Sequence, residues 1–262
     1  MRSRLLLSTT LVGPQNPTSI AAFGAGKQIQ AHLLLHLQHY PSIRKCTVIN
    51  RSSSSLNVQN LRDILEPLFT SVQFNYLAYY SQSSSSTEDD NNVRNVLGDA
   101  SIIICATPST RPLFPSCFVR DGTHVILVGS FKPEMREVDQ ELILRAVPGT
   151  ISESDHGKVA RNMKRLLLVD SYSACQVEAG EIIDAHVCES DMIEIGELCS
   201  HQASTRIRNE EPNRQVKDES AKGAITLFKS VGLGVQDVAL ACAVVKRAEE
   251  MGIGTYIKDY DV

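Results

Sequence analysis

The chain has 262 residues, a net charge of −4 and 21% charged residues, so no basic excess points to a nucleic acid or an anionic membrane surface. Seven cysteines are scattered singly without zinc-ligand spacing, which predicts no disulfide framework and no metal site, and favours a reducing, cytoplasmic setting. No apolar run reaches the roughly 18 residues of a membrane span, and none is expected.

The first part of the chain predicts a strand, a glycine turn, a helix and a second strand. The apolar run Ile20–Phe23 is followed directly by Gly24-Ala25-Gly26, an apolar helical face from Ile29 to Leu37, and a second apolar run, Cys46–Ile49. Glycines at such a turn let the backbone approach a pyrophosphate, and the helix N-terminus favours phosphate oxygens. The alternative is a two-glycine turn that binds nothing.

Strands and helices continue to alternate along the chain. Further strands are predicted at Val72–Tyr80, Ser101–Ala106, Thr123–Val128, Thr150–Ser152, Leu166–Asp170 and Ala224–Lys229. Helices are predicted at Leu56–Leu68, Val93–Leu97, Glu137–Ala146 and Val235–Met251, and Ser81–Asn92 is predicted to be a solvated loop. This alternation predicts an α/β protein of the Rossmann type, with a doubly wound, mostly parallel sheet. Ligands of such sheets bind at the carboxyl ends of the strands.

Arg51 is the most informative residue at a strand end. An acidic residue at the end of the second strand would accept hydrogen bonds from ribose hydroxyls, whereas Arg51, between Asn50 and Ser52, offers forked donors that match a phosphate. The sequence therefore predicts NADP(H) in preference to NAD(H). A solvent-facing arginine is the alternative.

Several stretches carry a resemblance to a known family. They read F-G-A-G-K-Q, V-I-N-R-S, I-I-I-C-A-T-P-S-T-R-P-L-F, D-G-T-H-V-I-L-V-G-S-F-K-P-E-M-R-E-V-D, V-E-A-G-E-I and I-T-L-F-K-S-V-G-L-G-V-Q-D. In this order, from about residue 18 to the C-terminus, the chain resembles the ornithine cyclodeaminase and mu-crystallin family.

The resemblance implies a Rossmann domain for NAD(H) or NADP(H), together with a second α/β domain that binds substrate and forms a homodimer. It implies a remnant of a linking helix at 1–15, the Rossmann domain at 16–185, a polar loop or insertion at 186–223, and a strand and C-terminal helix of the cofactor and substrate cleft at 224–262. Family members carry more residues before the glycine turn, so the chain is expected to be N-terminally truncated, with terminal helices left over from the second domain.

The resemblance also assigns site residues. The cofactor is expected to contact Gly24, Ala25, Gly26, Lys27, Gln28, Asn50, Arg51, Ser52, Ala106, Thr107, Pro108, Gly129, Ser130, Val231 and Gly232. Thr107 and Ser109 could instead cap a helix. Arg2 or Arg4 corresponds, by spacing alone, to the arginine that holds the substrate carboxylate.

Asp237 is the expected catalytic residue, because the family aspartate in this motif handles the substrate amine as a general acid and base. The alternative is an aspartate that only stabilises the first turn of its helix. The implied reaction is hydride transfer at the α-carbon of an amino or cyclic imino acid, as in a cyclodeaminase or a ketimine reductase. An NADPH-binding protein like mu-crystallin, or an inactive truncated homologue, remains open.

Overall fold

The computed structural model describes residues 4–80, 87–147, 165–199, 224–255 and 257. The chain forms two compact units, Met1–Val231 and Gly232–Val262. The first unit contains the sheet, and the second contains one long helix. Arg2 lies outside the described residues, as do Thr150–Ser152 and residues 200–223 of the predicted loop.

The first unit is built on one parallel sheet. Its described strands are β1 (Ser19–Phe23), β2 (Lys45–Asn50), β3 (Gln73–Ala78), β4 (Ile102–Cys105), β5 (His124–Leu127), β6 (Leu166–Val169), β7 (Ile193–Glu194) and β8 (Thr226–Lys229). They are arranged in the order β3-β2-β1-β4-β5-β8-β6-β7, and each described pairing is parallel. The direction of winding changes between β1 and β4, which confirms the doubly wound α/β fold.

The helices cover both faces of this sheet. In the first unit they are α1 (Arg4–Val12), α2 (Lys27–His39), α3 (Leu56–Leu68), α4 (Thr87–Asp99), α5 (Gln140–Ala146), α6 (Tyr172–Glu178) and α7 (Gly180–Asp184). The second unit contains α8 (Gly234–Met251), which ends at Gly252 in the left-handed conformation with φ of 64°. Among the described helices, none has the length and apolar character that crossing a bilayer requires.

Alternate residues of each central strand belong to different cores. Ala21 and Ile103 pack in a core with residues of α4, α5 and α7, whereas Ala22 and Ile104 pack with residues of α1, α2 and α3. Strands that are buried on both faces read as continuous apolar runs, which is why β1 and β4 are recognisable in the sequence. The result is a helix–sheet–helix arrangement.

Two predicted loops are partly wrong. α4 begins at Thr87 rather than Val93, and Glu88, Asp89 and Asp90 in its first turn favour the helix by interacting with its positive N-terminal end. The segment that was expected to be a polar loop from residue 186 contains a short 3-10 helix, Glu189–Asp191, and strand β7. Strand β7 forms because Ile193 and Glu194 pair with β6 at the edge of the sheet.

Buried histidines lie at the amino ends of the central strands. His124 begins β5, where its Nδ1 is 2.8 Å from Thr226 Oγ1 and its Nε2 is 3.2 Å from Ser8 Oγ. On α2, His36 Nε2 is 3.0 Å from Thr9 Oγ1 and its Nδ1 is 2.8 Å from the His32 carbonyl oxygen. Hydroxyls of α1 thus join the helical layer to the sheet through imidazole rings.

His32 differs from its neighbours. It is buried, and among the described residues neither ring nitrogen has a hydrogen-bond partner. Burial, and then the nearby His36, lowers the pKa of His32 to about 4. Burial also lowers the pKa of His36 to about 4 and that of His124 to about 3. These rings stay neutral in the folded protein at pH values where the unfolded chain binds protons, so acidification below about pH 6.5 favours unfolding.

His32→Leu is therefore expected to raise the free energy of unfolding at pH 7 by about 1–3 kcal/mol, because it removes two buried nitrogens that lack partners. It is also expected to reduce the loss of stability between pH 7 and pH 5. Urea unfolding at both pH values measures the two effects.

His36→Leu is the matched control, since it makes the same change one turn later but removes the hydrogen bonds to Thr9 and to the His32 carbonyl. It should destabilise the protein. A destabilised His32→Leu protein would contradict this account of His32.

Candidate functional site

A cleft of about 540 Å³ opens at the carboxyl ends of β1, β2 and β4. Its lining, within the described residues, comprises Phe23–Gly26, Ile49–Arg51, Asn57, Tyr79–Tyr80 and Ala106–Leu113. This volume is typical of small-molecule and cofactor sites. The cleft lies where the winding of the sheet reverses, which is where doubly wound sheets bind their ligands.

The glycine turn forms the floor of the cleft. Gly24 has a φ of 103°, and its amide donates a hydrogen bond of 2.9 Å to the Ile49 carbonyl. A Cβ atom on Gly24 would lie 3.1 Å from the Ala106 carbonyl oxygen. Both its conformation and its surroundings therefore favour glycine.

Gly26 serves a different purpose. Its backbone is extended, with φ of −80°, and a Cβ atom there would meet nothing within 4 Å. Gly26 stands immediately before Lys27, the first residue of α2, whose first amides have no acceptor within the helix. The open space at Gly26 is thus bordered by N–H donors and by the positive end of the helix, which suits an anionic group.

The turn after β2 carries Arg51 into the cleft. The Asn50 side-chain nitrogen donates to the Ser52 carbonyl at 3.0 Å and to Ser55 Oγ at 3.2 Å. Ser55 in turn caps α3 by accepting from the Val58 amide. Asn50 and Ser55 therefore fix the turn, and the exposed side chain of Arg51 lines the cleft.

The cleft has a positive lining. Arg51 and Arg111 both line it, and neither guanidinium has a hydrogen-bond or ion-pair partner among the described residues. No carboxylate belongs to the described lining. The positive charge of the described lining contrasts with the net charge of −4 for the whole chain. The sequence reasoning missed Arg111, which a count of charges after strand β4 could have found.

Thr107 is held at the end of β4 by a buried carboxylate. Glu137 Oε1 accepts from the Thr107 amide at 2.6 Å and from Thr107 Oγ1 at 3.0 Å. Its Oε2 accepts from the amides of Val128 at 3.1 Å and Gly129 at 2.7 Å. The alternative that Thr107 caps a helix is wrong, because no helix begins there and its hydroxyl is bonded to Glu137.

Ser130 belongs to a second buried network. Its hydroxyl donates to the Glu181 carboxylate, with distances of 2.5 and 2.6 Å to the two oxygens. Lys229 donates to the Ser130 carbonyl at 2.6 Å and to Ser130 Oγ, and pairs with Glu181 at 3.0 Å. Ser130, Glu181 and Lys229 are all fully buried. Neither Glu181 nor Lys229 was recognised from the sequence.

The remaining predicted residues are placed as follows. Lys27 is exposed and donates to Gln30 at 3.2 Å, and Gln28 follows it in the first turn of α2. The Ser52 hydroxyl accepts from the Ser54 amide at 3.3 Å. The Val231 amide donates to Asp170 at 3.3 Å. These residues, with Gly129 and Ser130, lie outside the described lining of the cleft, whereas Ala25, Ala106 and Pro108 belong to it.

Asp237 and Gly232 belong to the second unit. Asp237 lies in the first turn of α8, and Gly232 has a φ of 91°. The helical position fits both interpretations of Asp237, as a catalytic group and as a charge that stabilises the helix.

α1 begins at Arg4, whose side chain is outside the described part of the chain. Within that part, no cluster of three or more His, Cys, Asp or Glu side chains could hold a metal ion.

Comparison with known proteins identifies the family. The sequence profile of the ornithine cyclodeaminase/mu-crystallin family matches residues 79–252. The chain belongs to this family. The match spans strands β4 to β8 and the Asp237 motif, and it confirms the resemblance that the sequence motifs indicated.

Curated family members are distant in sequence. Protein SAR DEFICIENT 4 of Arabidopsis thaliana is 28% identical over 235 residues, which cover 90% of this chain and 60% of that protein. An uncharacterized cyclodeaminase of Dictyostelium discoideum is 26% identical over 266 residues, which cover 97% of this chain and 65% of that protein. The chain thus spans about three fifths of the length of these relatives.

A solved structure shares the fold. The Delta(1)-pyrroline-2-carboxylate reductase of Thermococcus litoralis, in complex with NADH and L-proline, matches with a TM-score of 0.66 and 22% identity. The match covers 96% of this chain and 64% of that one. At this identity the likeness supports the fold alone.

Gly24→Ala is expected to lower the free energy of unfolding by at least about 1 kcal/mol, because alanine is strained at a φ of 103°. Gly26→Ala is the matched control, with an ordinary backbone conformation and open space around its Cβ, and should lose less stability than Gly24→Ala, because only the preference for glycine at the helix N-cap is lost. Urea unfolding of both variants measures the difference. Equal losses of stability would contradict the roles given to these glycines.

Proposed function

We propose that this chain binds NADP(H) in the cleft. The bound cofactor would exchange a hydride with the α-carbon of an amino or cyclic imino acid. The observation that carries the proposal is the floor of the cleft. Gly24 brings the backbone turn to the strand ends, and Gly26 leaves open space in front of the N-terminus of α2. These features fit the diphosphate of a dinucleotide.

Arg51 supports NADP(H) over NAD(H). The Arg51 guanidinium, which has no acceptor within the part of the chain that the structure describes, lies at the end of β2 and offers forked donors to a ribose 2′-phosphate. No described lining residue carries a carboxylate that would repel this phosphate. Arg111, on the loop after β4, adds a second positive charge to the same cleft.

Membership of the family supports the reaction class. When bound, a nicotinamide ring supplies or accepts the hydride. An imine that receives a hydride on carbon also needs a proton on nitrogen, and we assign that proton transfer to Asp237. A carboxylate can stabilise a cationic amine and exchange its proton. All seven cysteines are free, which supports the cytoplasm as the place of action.

Arg51→Asp is expected to abolish the preference for NADPH, weakening its binding about tenfold or more while leaving NADH binding little changed. A charge-assisted contact to the phosphate is worth about this much. Fluorescence titrations of the purified chain with NADPH and NADH, side by side, measure the ratio of the two dissociation constants.

Arg44→Asp is the control, because it changes the net charge equally but stands before β2, at the end of the strand away from Arg51. It should leave the ratio unchanged. An unaltered ratio in Arg51→Asp would refute the assignment of the 2′-phosphate site, and binding of neither dinucleotide by the wild-type chain would refute the proposed function.

Asp237→Asn is expected to slow the NADPH-dependent reduction of Delta(1)-pyrroline-2-carboxylate by about a hundredfold or more, the usual effect of losing a general acid. The NADPH dissociation constant should not change. The rate is followed by the absorbance of NADPH, with Glu249→Gln, a similar change farther along α8, as the control. NADPH binding without any turnover by the wild-type chain would favour a binding protein over an enzyme.

A further inference from the structure

We propose that Glu137 is a positioning residue, which holds Thr107 in the wall of the cofactor cleft by accepting hydrogen bonds from the ends of two strands. This inference rests on the proposed function, because it assigns a purpose to the wall of that cleft. Thr107 lines the cleft, whereas Glu137 is fully buried and lies outside the described lining. Glu137 therefore acts through its neighbours.

The position of Glu137 follows from the geometry of the sheet. β4 and β5 pair up to Cys105 and Leu127, and the Val128 amide still reaches the Cys105 carbonyl at 3.0 Å. Beyond this point the amides of Thr107 and Gly129 require other acceptors, since buried N–H groups without partners are costly. The two carboxylate oxygens of Glu137 supply them, one for each strand.

Gly129 makes the arrangement possible. A Cβ atom at this position would lie 2.0 Å from the Thr107 carbonyl oxygen and 2.5 Å from Glu137 Oε1. Any larger residue would therefore separate the two strand ends. The close approach lets a single carboxylate bridge them.

An ionised carboxylate suits this position best. The contacts to Thr107, Val128 and Gly129 all come from donors, so each oxygen of Glu137 must accept. A glutamine would accept on one side and place an NH₂ group against donors on the other. Protonation of the carboxyl group removes its charge and one acceptor lone pair, which weakens its hydrogen bonds to the amides of the two strand ends.

The surroundings of Glu137 place its ionisation near neutral pH. Burial raises the pKa of Glu137 to about 7, Lys229 of β8 and the amides of Thr107 and Gly129 oppose that rise, and Glu181 of α7 adds to it. The buried thiol of Cys105 on β4 also faces this charge. Loss of the charge below pH 7 is expected to loosen the Thr107 wall and weaken dinucleotide binding.

The test compares the full chain with Glu137→Gln, using NADH as the probe because it lacks the 2′-phosphate that itself titrates near pH 6. Wild-type NADH affinity should fall several-fold from pH 8 to pH 6. Glu137→Gln should bind about tenfold more weakly than wild type at pH 8, with no pH dependence over this range. The control is Glu141→Gln on α5, whose carboxylate accepts from Ser116, and it should keep the wild-type profile.

Amide hydrogen exchange of the free proteins separates this inference from the proposed function. After correction for the intrinsic pH dependence of exchange, peptides containing Thr107 and Gly129 should exchange faster in Glu137→Gln than in Glu141→Gln. Wild-type protection at both sites in Glu137→Gln would overturn the inference, whether or not NADH binds. If Glu137→Gln does not fold, the wild-type protein decides, since fast, unprotected exchange of the Thr107 and Gly129 amides at pH 8 would also overturn the inference.

Discussion

Buried carboxylates that accept hydrogen bonds beyond the last strand pairs are the constraint on which the rest of the site depends. Glu137 joins the ends of β4 and β5, and Asp170, which directly follows β6, accepts from the Ser230 hydroxyl at 2.8 Å and the Val231 amide at 3.3 Å. Glu181 joins β5 to β8 through Ser130 and Lys229. The strand ends from β4 to β6 are therefore joined without leaving these buried donors unpaired. One of them, the end of β4, also forms a wall of the cleft.

Lys229 balances this concentration of negative charge. Two carboxylates buried close together would repel each other, and burial alone already disfavours their ionised forms. Lys229 pairs directly with Glu181 and also lowers the pKa of Glu137. Breaking such a buried ion pair by removing one partner leaves an uncompensated charge, which is usually more costly than never having formed the pair. The network therefore behaves as one unit rather than as separate hydrogen bonds.

Local sequence patterns were sufficient to predict the fold and the glycine turn at the floor of the cleft. The contacts between residues that are distant in sequence could not be predicted in this way. The run Ile20–Phe23, the glycine turn and the position of Arg51 after β2 could be predicted from the sequence, because each depends on nearby residues. The role of Lys229 could not be predicted, because β8 is the last described strand along the chain but inserts between β5 and β6 in the sheet. This insertion buries Lys229, the final residue of β8. Glu137 was assigned to a helix, yet α5 begins only at Gln140, with Asp139 as its cap. The hydrogen-bond partners of Glu137 lie up to 30 residues away in sequence. Helical and strand periodicities relate only residues that are a few positions apart, so they do not reveal these contacts.

The two ends of the sheet respond to pH in opposite directions. At the amino ends, the buried histidines bind fewer protons in the folded state than in the unfolded chain between about pH 4 and 6.5, so acidification removes stability. At the carboxyl ends, Glu137 binds more protons in the folded state up to about pH 7, so acidification adds stability there. The protonated form that burial favours is the one that accepts more weakly from the two strand ends. The ionised form of Glu137, which holds Thr107 in the wall of the cleft, is therefore the form that lowers the stability of the fold. Such a conflict is expected where a residue is positioned for function rather than for packing.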